Sequence, residues 1–464
     1  MKTGIAAHLL CLYIFFLPAA AIAGGESYCF RVYLKDKGVA ADSIPAAEAF
    51  LSKEAVERRA GRGIEITLSD VPVAPSYIGM LASAGFRPVT QSKWMATAVV
   101  ESDDSLAVER LKALSIVDSV RFVWKGTDRS AKNDCPPDST PLEPVKEKTS
   151  HDYGYARTQI EMLNGVRLHE LGKRGQGMRI AVIDAGFLNV NRIGMFSSLR
   201  LLGTHNVVSP GGDVYCEDDH GTKVLSCLAA NRPGRMVGTA PEASYLLIKS
   251  EDTRSEYPIE EDFWAAALEY ADSVGIDVVS SSLGYYVFDM TDTLYRADDL
   301  DGKTAFISQV AAKAVEKGIL LFVSAGNEGN REWGKITFPA DVPGLLTVGA
   351  INESGRRSTF SSTGFTADYR VKPDIVALGT GTTVVDANGD IGYSDGTSFS
   401  TPVMAGLGAC LWQALPWLGN REIMALIRRT ASQADRPDAE QGYGIPDVYK
   451  AYQTELNVSN VSER

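Results

Sequence analysis

Four short stretches of this chain carry side chains suited to nucleophilic chemistry, each where a regular element begins or ends. The β-branched run Arg179-Ile180-Ala181-Val182-Ile183 leads into Asp184-Ala185-Gly186, which sets a carboxylate at a strand tip. His220, in Asp218-Asp219-His220-Gly221-Thr222, enters a helix through Val224 and Leu228; the other histidines, His8, His151, His169 and His205, have no comparable setting for a general base. Asn327 stands in Ala325-Gly326-Asn327-Glu328-Gly329 after the strand-like Leu320 to Ser324. A side-chain amide at such a glycine-flanked tip is the donor a tetrahedral oxyanion needs, worth roughly 3 to 4 kcal/mol. Ser398 lies in Gly396-Thr397-Ser398-Phe399-Ser400-Thr401-Pro402, before the apolar helix Val403 to Leu415. Pro402 fits the first turn of that helix, where its missing N–H breaks no bond. The free N–H groups of the helix start suit an oxyanion at Ser398. Taken singly, each residue has a plainer reading as a turn former or helix cap.

The elements that must position these groups alternate in type. Apolar strands are expected at Arg179 to Asp184, Asp277 to Leu283, Ile319 to Ser324, Leu345 to Ile351 and Asp374 to Leu378, with helices such as Glu261 to Val274 and Thr304 to Lys317 between them. Gly275 and Gly318 read as C-terminal stops. Continuous apolar strands separated by helices mean an α/β domain, a doubly wound and mainly parallel sheet with helices on both faces. Ligands in such sheets gather beyond the carboxyl ends of the strands, where the four groups stand.

Asp184, His220, Asn327 and Ser398, in that order, resemble the subtilisin-like serine proteases, whose triad runs Asp, His, Ser along the chain. The resemblance covers roughly Tyr153 to Tyr452. It implies that Asp184 orients the imidazole, that His220 is general base then acid, and that Ser398 is the nucleophile. Asn327 and the Ser398 backbone N–H would then form the oxyanion hole. It further implies that Ser281-Ser282-Leu283-Gly284 is an exposed substrate-binding edge that pairs with peptide backbone. Ala185 departs from the pattern, since the family commonly has Ser or Thr there. The activity implied is that of a serine endopeptidase acting on protein or peptide substrates through an acyl-enzyme. No cofactor is required for that chemistry. Family members often bind calcium, but Asp298-Asp299-Leu300-Asp301-Gly302 lacks the EF-hand spacing and no metal ligand is assigned. Two other classes compete: an inactive subtilase-fold protein that only binds peptide, and an α/β-hydrolase esterase. The esterase is disfavoured because the residue two after Ser398 is Ser400, where a G-x-S-x-G elbow has glycine, and because that fold runs Ser, acid, His.

The front half reads differently. Residues 24–125 show strand-like Cys29 to Leu34, a helical Ala46 to Arg62, a helical piece near Ser76 to Ser83, an alternating Trp94 to Val100, a helix Leu106 to Leu114 and a strand Ser119 to Trp124. This is a small α+β domain, similar in size and pattern to the propeptide that subtilases use as an intramolecular inhibitor. The Pro-, Ser- and Lys-rich 126–150 is a linker and the expected processing site. Residues 151–452 form the catalytic domain and 453–464 a tail.

Residues 1–23 combine Lys2, an apolar run and Ala21-Ile22-Ala23, the arrangement of a secretory signal peptide. The product is therefore expected to be secreted or periplasmic, with no membrane attachment after cleavage. At 464 residues the chain exceeds a single ordinary domain, and its formal charge of -12 argues against nucleic acid as a partner. Without Cys11 of the leader, Cys29, Cys135, Cys216, Cys227 and Cys410 are too few and scattered for a disulfide framework. Cys216 and Cys227, which flank His220, read either as a local disulfide or as two buried thiols, the latter being the expectation. Glu328 beside Asn327, and Glu217, Asp218 and Asp219 before His220, hint at basic side chains in the substrate, against the alternative of a solvated acidic loop.

Overall fold

A computed structural model of the chain describes residues 25–40, 44–127, 152–289 and 295–462, with side chains through 457. The expected leader, and nearly all of the expected processing linker, lie outside the described residues. The chain divides into two compact units, residues 1–129 together with Ser273–Gly275, and the remainder.

The N-terminal unit is one antiparallel sheet of four strands, β1 (Ser27–Leu34), β2 (Arg87–Ser92), β3 (Thr97–Ser102) and β4 (Val117–Gly126), in the order β2-β3-β1-β4. Helices α1 (Lys53–Gly61), α2 (Pro75–Ser83) and α3 (Ala107–Lys112) accompany it. Phe30, Val32, Val100, Leu81 and Leu111 fill its core. The helix expected over Ala46 to Arg62 is in fact a short 3-10 turn, Ala47–Ala49, followed by α1. Ser52 separates them because its Oγ accepts the Ala55 N–H at 3.1 Å and so starts a new helix.

The second unit is built on seven parallel strands: β5 (Arg179–Asp184), β6 (Arg200–Asn206), β7 (Ser244–Lys249), β8 (Val278–Ser281), β9 (Leu320–Ser324), β10 (Leu346–Ile351) and β11 (Ile375–Leu378). Their spatial order is β11-β10-β9-β8-β5-β7-β6. From β5 the chain first goes out to the edge with β6, fills the place between them with β7, then passes to the other side of β5 with β8. The order therefore reverses between β5 and β8, and a crevice opens there at the carboxyl ends of the strands. Strands β8 and β9 are buried throughout, as strands covered on both faces must be.

The principal helices are α4 (His220–Ala229), α5 (Ile259–Ser273), α6 (Phe306–Glu316), α7 (Thr397–Ala414), α8 (Asn420–Arg429) and α9 (Val448–Ser462). Helix α7 is buried along nearly its whole length and packs against β8 to β11 and against α4. The expected C-terminal tail is not a tail in the structure, because α9 runs from Val448 to Ser462. Among the described residues no helix is long and apolar enough to cross a membrane.

Candidate active site

Strand β5 ends on Asp184, which is fully buried. The segment after it is laced to the segment before α4: Phe187 N–H donates to Val214 O at 2.9 Å, Leu188 N–H to Asp218 O at 3.1 Å and Asn189 N–H to Tyr215 O at 3.2 Å. Glycine is obligatory at the crossing. A Cβ at Gly221 would stand 2.3 Å from Gly186 O, and one at Gly186 would stand 2.8 Å from Asp218 O. The lacing brings His220, the first residue of α4, against the strand tip, while its N–H donates to Asp218 Oδ1 at 2.7 Å. His220 Nδ1 then lies 2.7 Å from Asp184 Oδ1. An ionised carboxylate only accepts, so Nδ1 carries the hydrogen and Nε2 is left as the basic nitrogen of the neutral ring. Burial pulls the imidazole pKa down, but the charge and hydrogen bond of Asp184, with Asp218 behind, outweigh it and raise the pKa above 6.5.

Asp184 Oδ1 also accepts the Ala185 N–H at 2.8 Å, whereas Oδ2 is buried with no hydrogen-bond partner. The orphaned oxygen accompanies the departure noted at Ala185, where a serine would bring a hydroxyl donor next to Asp184. Ala185→Ser should therefore raise thermal stability by about 1.5 kcal/mol, read by thermal unfolding.

Ser398 is the second residue of α7 and is 8% exposed. The helix starts at Thr397, earlier than the sequence suggests, so Pro402 falls beyond its first turn and removes the N–H that would have bonded Ser398 O. The Ser282 hydroxyl takes its place, donating to Ser398 O at 2.8 Å. In return Ser398 Oγ donates to Ser282 O at 3.4 Å. Among the described residues no hydrogen bond joins Ser398 to His220, although the imidazole stands beside the next residue, with ring centroids of His220 and Phe399 5.9 Å apart.

Asn327 follows β9, and its Oδ1 accepts both the Thr397 N–H and the Thr397 hydroxyl at 2.9 Å. A backbone N–H can only donate, so the amide orientation is fixed and Nδ2 is turned away from Thr397. Thr397 was not singled out in the sequence, where it reads as an ordinary cap residue before Ser398. The Ser398 N–H is one of the groups that a helix start leaves without an intrahelical partner.

The expected substrate edge needs correction. Ser281 ends β8, a central strand between β5 and β9, and its Oγ accepts from Trp264 Nε1 at 2.9 Å inside the core. Ser282 is likewise buried against Ser398. Only Leu283 and Gly284, beyond the strand end, leave the sheet with exposed surface. The acidic residues expected near the cleft are engaged locally: Glu217 with Lys249 at 2.7 Å, Asp219 with Lys223 at 2.9 Å, and Glu328, 7% exposed, with the Tyr286 hydroxyl at 2.8 Å and Arg331 at 3.4 Å. In the loop 298–302, Asp299 caps the Arg296 N–H and Asp301 accepts from the Lys303 and Thr304 N–H groups. Cys227 is a buried free thiol pushed up to about 12 by desolvation, as expected. Cys216 is not a thiol: it is disulfide-bonded, and since Cys227 is free the expected alternatives for the pair both fail.

Comparison with known proteins finds relatives for both parts of the chain. Residues 29–137 match the Peptidase S8 propeptide domain of Bacteroidota. Subtilisin E of Bacillus subtilis (strain 168) is 28% identical over 292 residues, covering 62% of this chain and 69% of that protein. Subtilisin of Bacillus pumilus is 28% identical over 277 residues, 59% of this chain and 90% of its own length. Alkaline elastase YaB of a Bacillus species is 28% identical over 263 residues, 56% and 61%. Residues 175–444 match the Subtilase family, Peptidase S8, and span the sheet, α4, α7 and all four residues of the cleft, so the chain belongs to the subtilase family.

Proposed function

We propose that the protein is an exported serine endopeptidase, made as a zymogen that cleaves its own linker, and that Asp184, His220, Ser398 and Asn327 carry its chemistry. The observation that carries this reading is the 2.7 Å pair of Asp184 and His220, which leaves Nε2 free to accept a proton beside the start of α7. Substrate backbone lies along Leu283 and Gly284, just beyond the end of β8. Ser398 Oγ bonds to the peptide carbonyl carbon as its proton passes to His220 Nε2. The oxyanion receives hydrogen bonds from Asn327 Nδ2 and the Ser398 N–H. His220 returns the proton to the departing amine, and water repeats the sequence on the acyl-enzyme. None of these steps calls for a cofactor.

A second reading, a peptide-binding protein of low activity, is favoured by one observation: the Ser398 hydroxyl is bonded to Ser282 O and not to the imidazole. That bond is long at 3.4 Å, and a change of χ1 between staggered wells releases it. Nucleophile–base contacts also tighten in substrate complexes. Treatment with a fluorophosphonate separates the two readings. Stoichiometric mass addition at Ser398, with hydrolysis of casein, is expected; a chain that binds casein peptides and takes up no label is the inactive protein.

The raised pKa of His220 sets the pH dependence. Catalysis needs the neutral ring, so the acid limb of kcat/KM should have its midpoint above pH 6.5. Stability runs the opposite way, because a group whose pKa is raised by folding contributes fully below its unfolded value and loses that contribution as pH rises through the folded one. A pH–rate profile with its acid limb below pH 6 would contradict the assignment. In Ala185→Ser the added hydrogen bond holds the Asp184 charge more tightly, and the limb should move downward.

A further inference from the structure

Cys216 stands four residues before His220, in the loop that holds the imidazole to the tip of β5. Backbone carbonyls on both sides of it are tied to the segment after Asp184: Tyr215 O accepts the Asn189 N–H at 3.2 Å, and Asp218 O accepts the Leu188 N–H at 3.1 Å. Between them Glu217 pairs with Lys249, the last residue of β7, at 2.7 Å. Cys216 itself is half-buried, open to a chain segment that passes over the surface, and it is disulfide-bonded. The chain has six cysteines. Cys29, Cys227 and Cys410 remain buried thiols, which leaves Cys11 or Cys135 as the partner of Cys216. Both lie outside the described residues.

Cys11 falls in the apolar run of the expected leader and leaves with it on export. Cys135 falls in the linker, just before Pro136-Pro137, and by the division of the chain it belongs to the same unit as Cys216. A disulfide suits an exported chain, because such bonds persist in oxidising compartments and are rare where thiols are kept reduced. We propose that Cys135 is joined to Cys216, stapling the linker to the loop before His220, and that the cut which releases the N-terminal unit falls between Thr127 and Cys135. The bond forms as the two thiols pass two electrons and two protons to a protein disulfide of the export compartment, which becomes a dithiol. The place of the cut follows from connectivity. Strand β4 ends at Gly126, so the backbone beyond it is the first that can be cut without breaking the N-terminal sheet. A cut after Cys135 opens the backbone but leaves the N-terminal unit attached through sulfur, and an oxidising medium supplies no reductant to finish the release. A cut before Cys135 lets that unit go and keeps the new N-terminus fixed beside the loop that positions His220. The staple closes a loop of about 80 residues, so its loss destabilises chiefly by giving freedom to the unfolded chain.

The place of the cut rests on the zymogen reading, whereas the bond is read without it. Secreted Ser398→Ala, alkylated and digested without reduction, should give a peptide carrying Cys135 joined to one carrying Cys216, and the two should separate on reduction. Alkylated Cys135 or Cys216, or Cys216 joined to Cys11 or to any other cysteine, overturns the bond. In the wild type the intact mass should show the same loss of the N-terminal unit with and without dithiothreitol, and sequencing should find the new N-terminus before Cys135. A unit shed only after reduction overturns the place of the cut. Dithiothreitol should lower the Tm of the processed enzyme by about 5 °C or more and should leave the Tm of Cys135→Ser unchanged. An equal fall in that variant would mean that the reductant acts elsewhere, and the staple would be overturned. Should Cys135→Ser fail to fold, the peptide map of Ser398→Ala decides the bond alone. A chain that carries the bond, takes no fluorophosphonate and is never cut overturns the peptidase reading, and the place of the cut with it, while the staple stands.

Discussion

Ser398→Ala should lower kcat for peptide hydrolysis by about 10⁶, the loss known from removal of the equivalent serine in subtilisin itself. The size follows from the non-additivity of the triad. Without an oxygen nucleophile the imidazole of His220 has nothing to deprotonate, and what persists is the contribution of Asn327 and of binding, roughly 10³ to 10⁴ over water. The same substitution has a second readout on the chain itself. Intact mass of the secreted wild type should show the loss of the N-terminal unit, about 100 residues beyond the leader, if the linker is cut by this active site. The alanine variant should retain it. The hydroxyl makes one long bond, to Ser282 O at 3.4 Å, so its removal leaves the Ser282-to-Ser398 carbonyl bond and the fold intact. Equal processing of both proteins would mean that another protease cuts the linker or that this one is inert.

The sheet was readable to the extent that burial alone defines a strand. Strands β5, β8, β9, β10 and β11 are continuous apolar runs because both of their faces are covered, and their bounds fall within a residue or two of expectation. Two strands escaped notice: β6, an edge strand that is largely exposed and paired only with β7, and β7 itself, which is buried between β5 and β6 and was missed all the same. The position of a strand within a sheet is decided by long-range pairing, which explains the misplacement of Ser281: its sequence resembles a substrate edge, yet it sits between β5 and β9. Asp184, His220, Asn327 and Ser398 were readable because each needs a special backbone setting that glycine or a helix start announces. Thr397 was not, since a threonine before a helix is an ordinary cap. Only the two bonds to Asn327 Oδ1 distinguish it.

Asn327→Ala should lower kcat by about 10² to 10³ with little change in KM, the loss recorded when the corresponding amide is removed from subtilisin. The selectivity for kcat follows from where the charge appears: the carbonyl oxygen of bound peptide is neutral, and the Nδ2 bond gains its strength only as that oxygen becomes anionic. What makes the donor effective is its fixed aim, and Thr397 supplies it by donating twice to Oδ1. Thr397→Val keeps the shape and the backbone N–H but removes the hydroxyl, so the amide is held by one bond where there were two. A loss of roughly tenfold in kcat is expected, corresponding to about 1.4 kcal/mol. The decisive measurement is the double variant. If Thr397 acts only through Asn327, then Asn327→Ala with Thr397→Val should be no slower than Asn327→Ala alone, because there is no amide left to aim. Multiplicative losses would show instead that Thr397 supports Ser398 or the start of α7 directly, and the oxyanion assignment of Asn327 would lose its geometric basis.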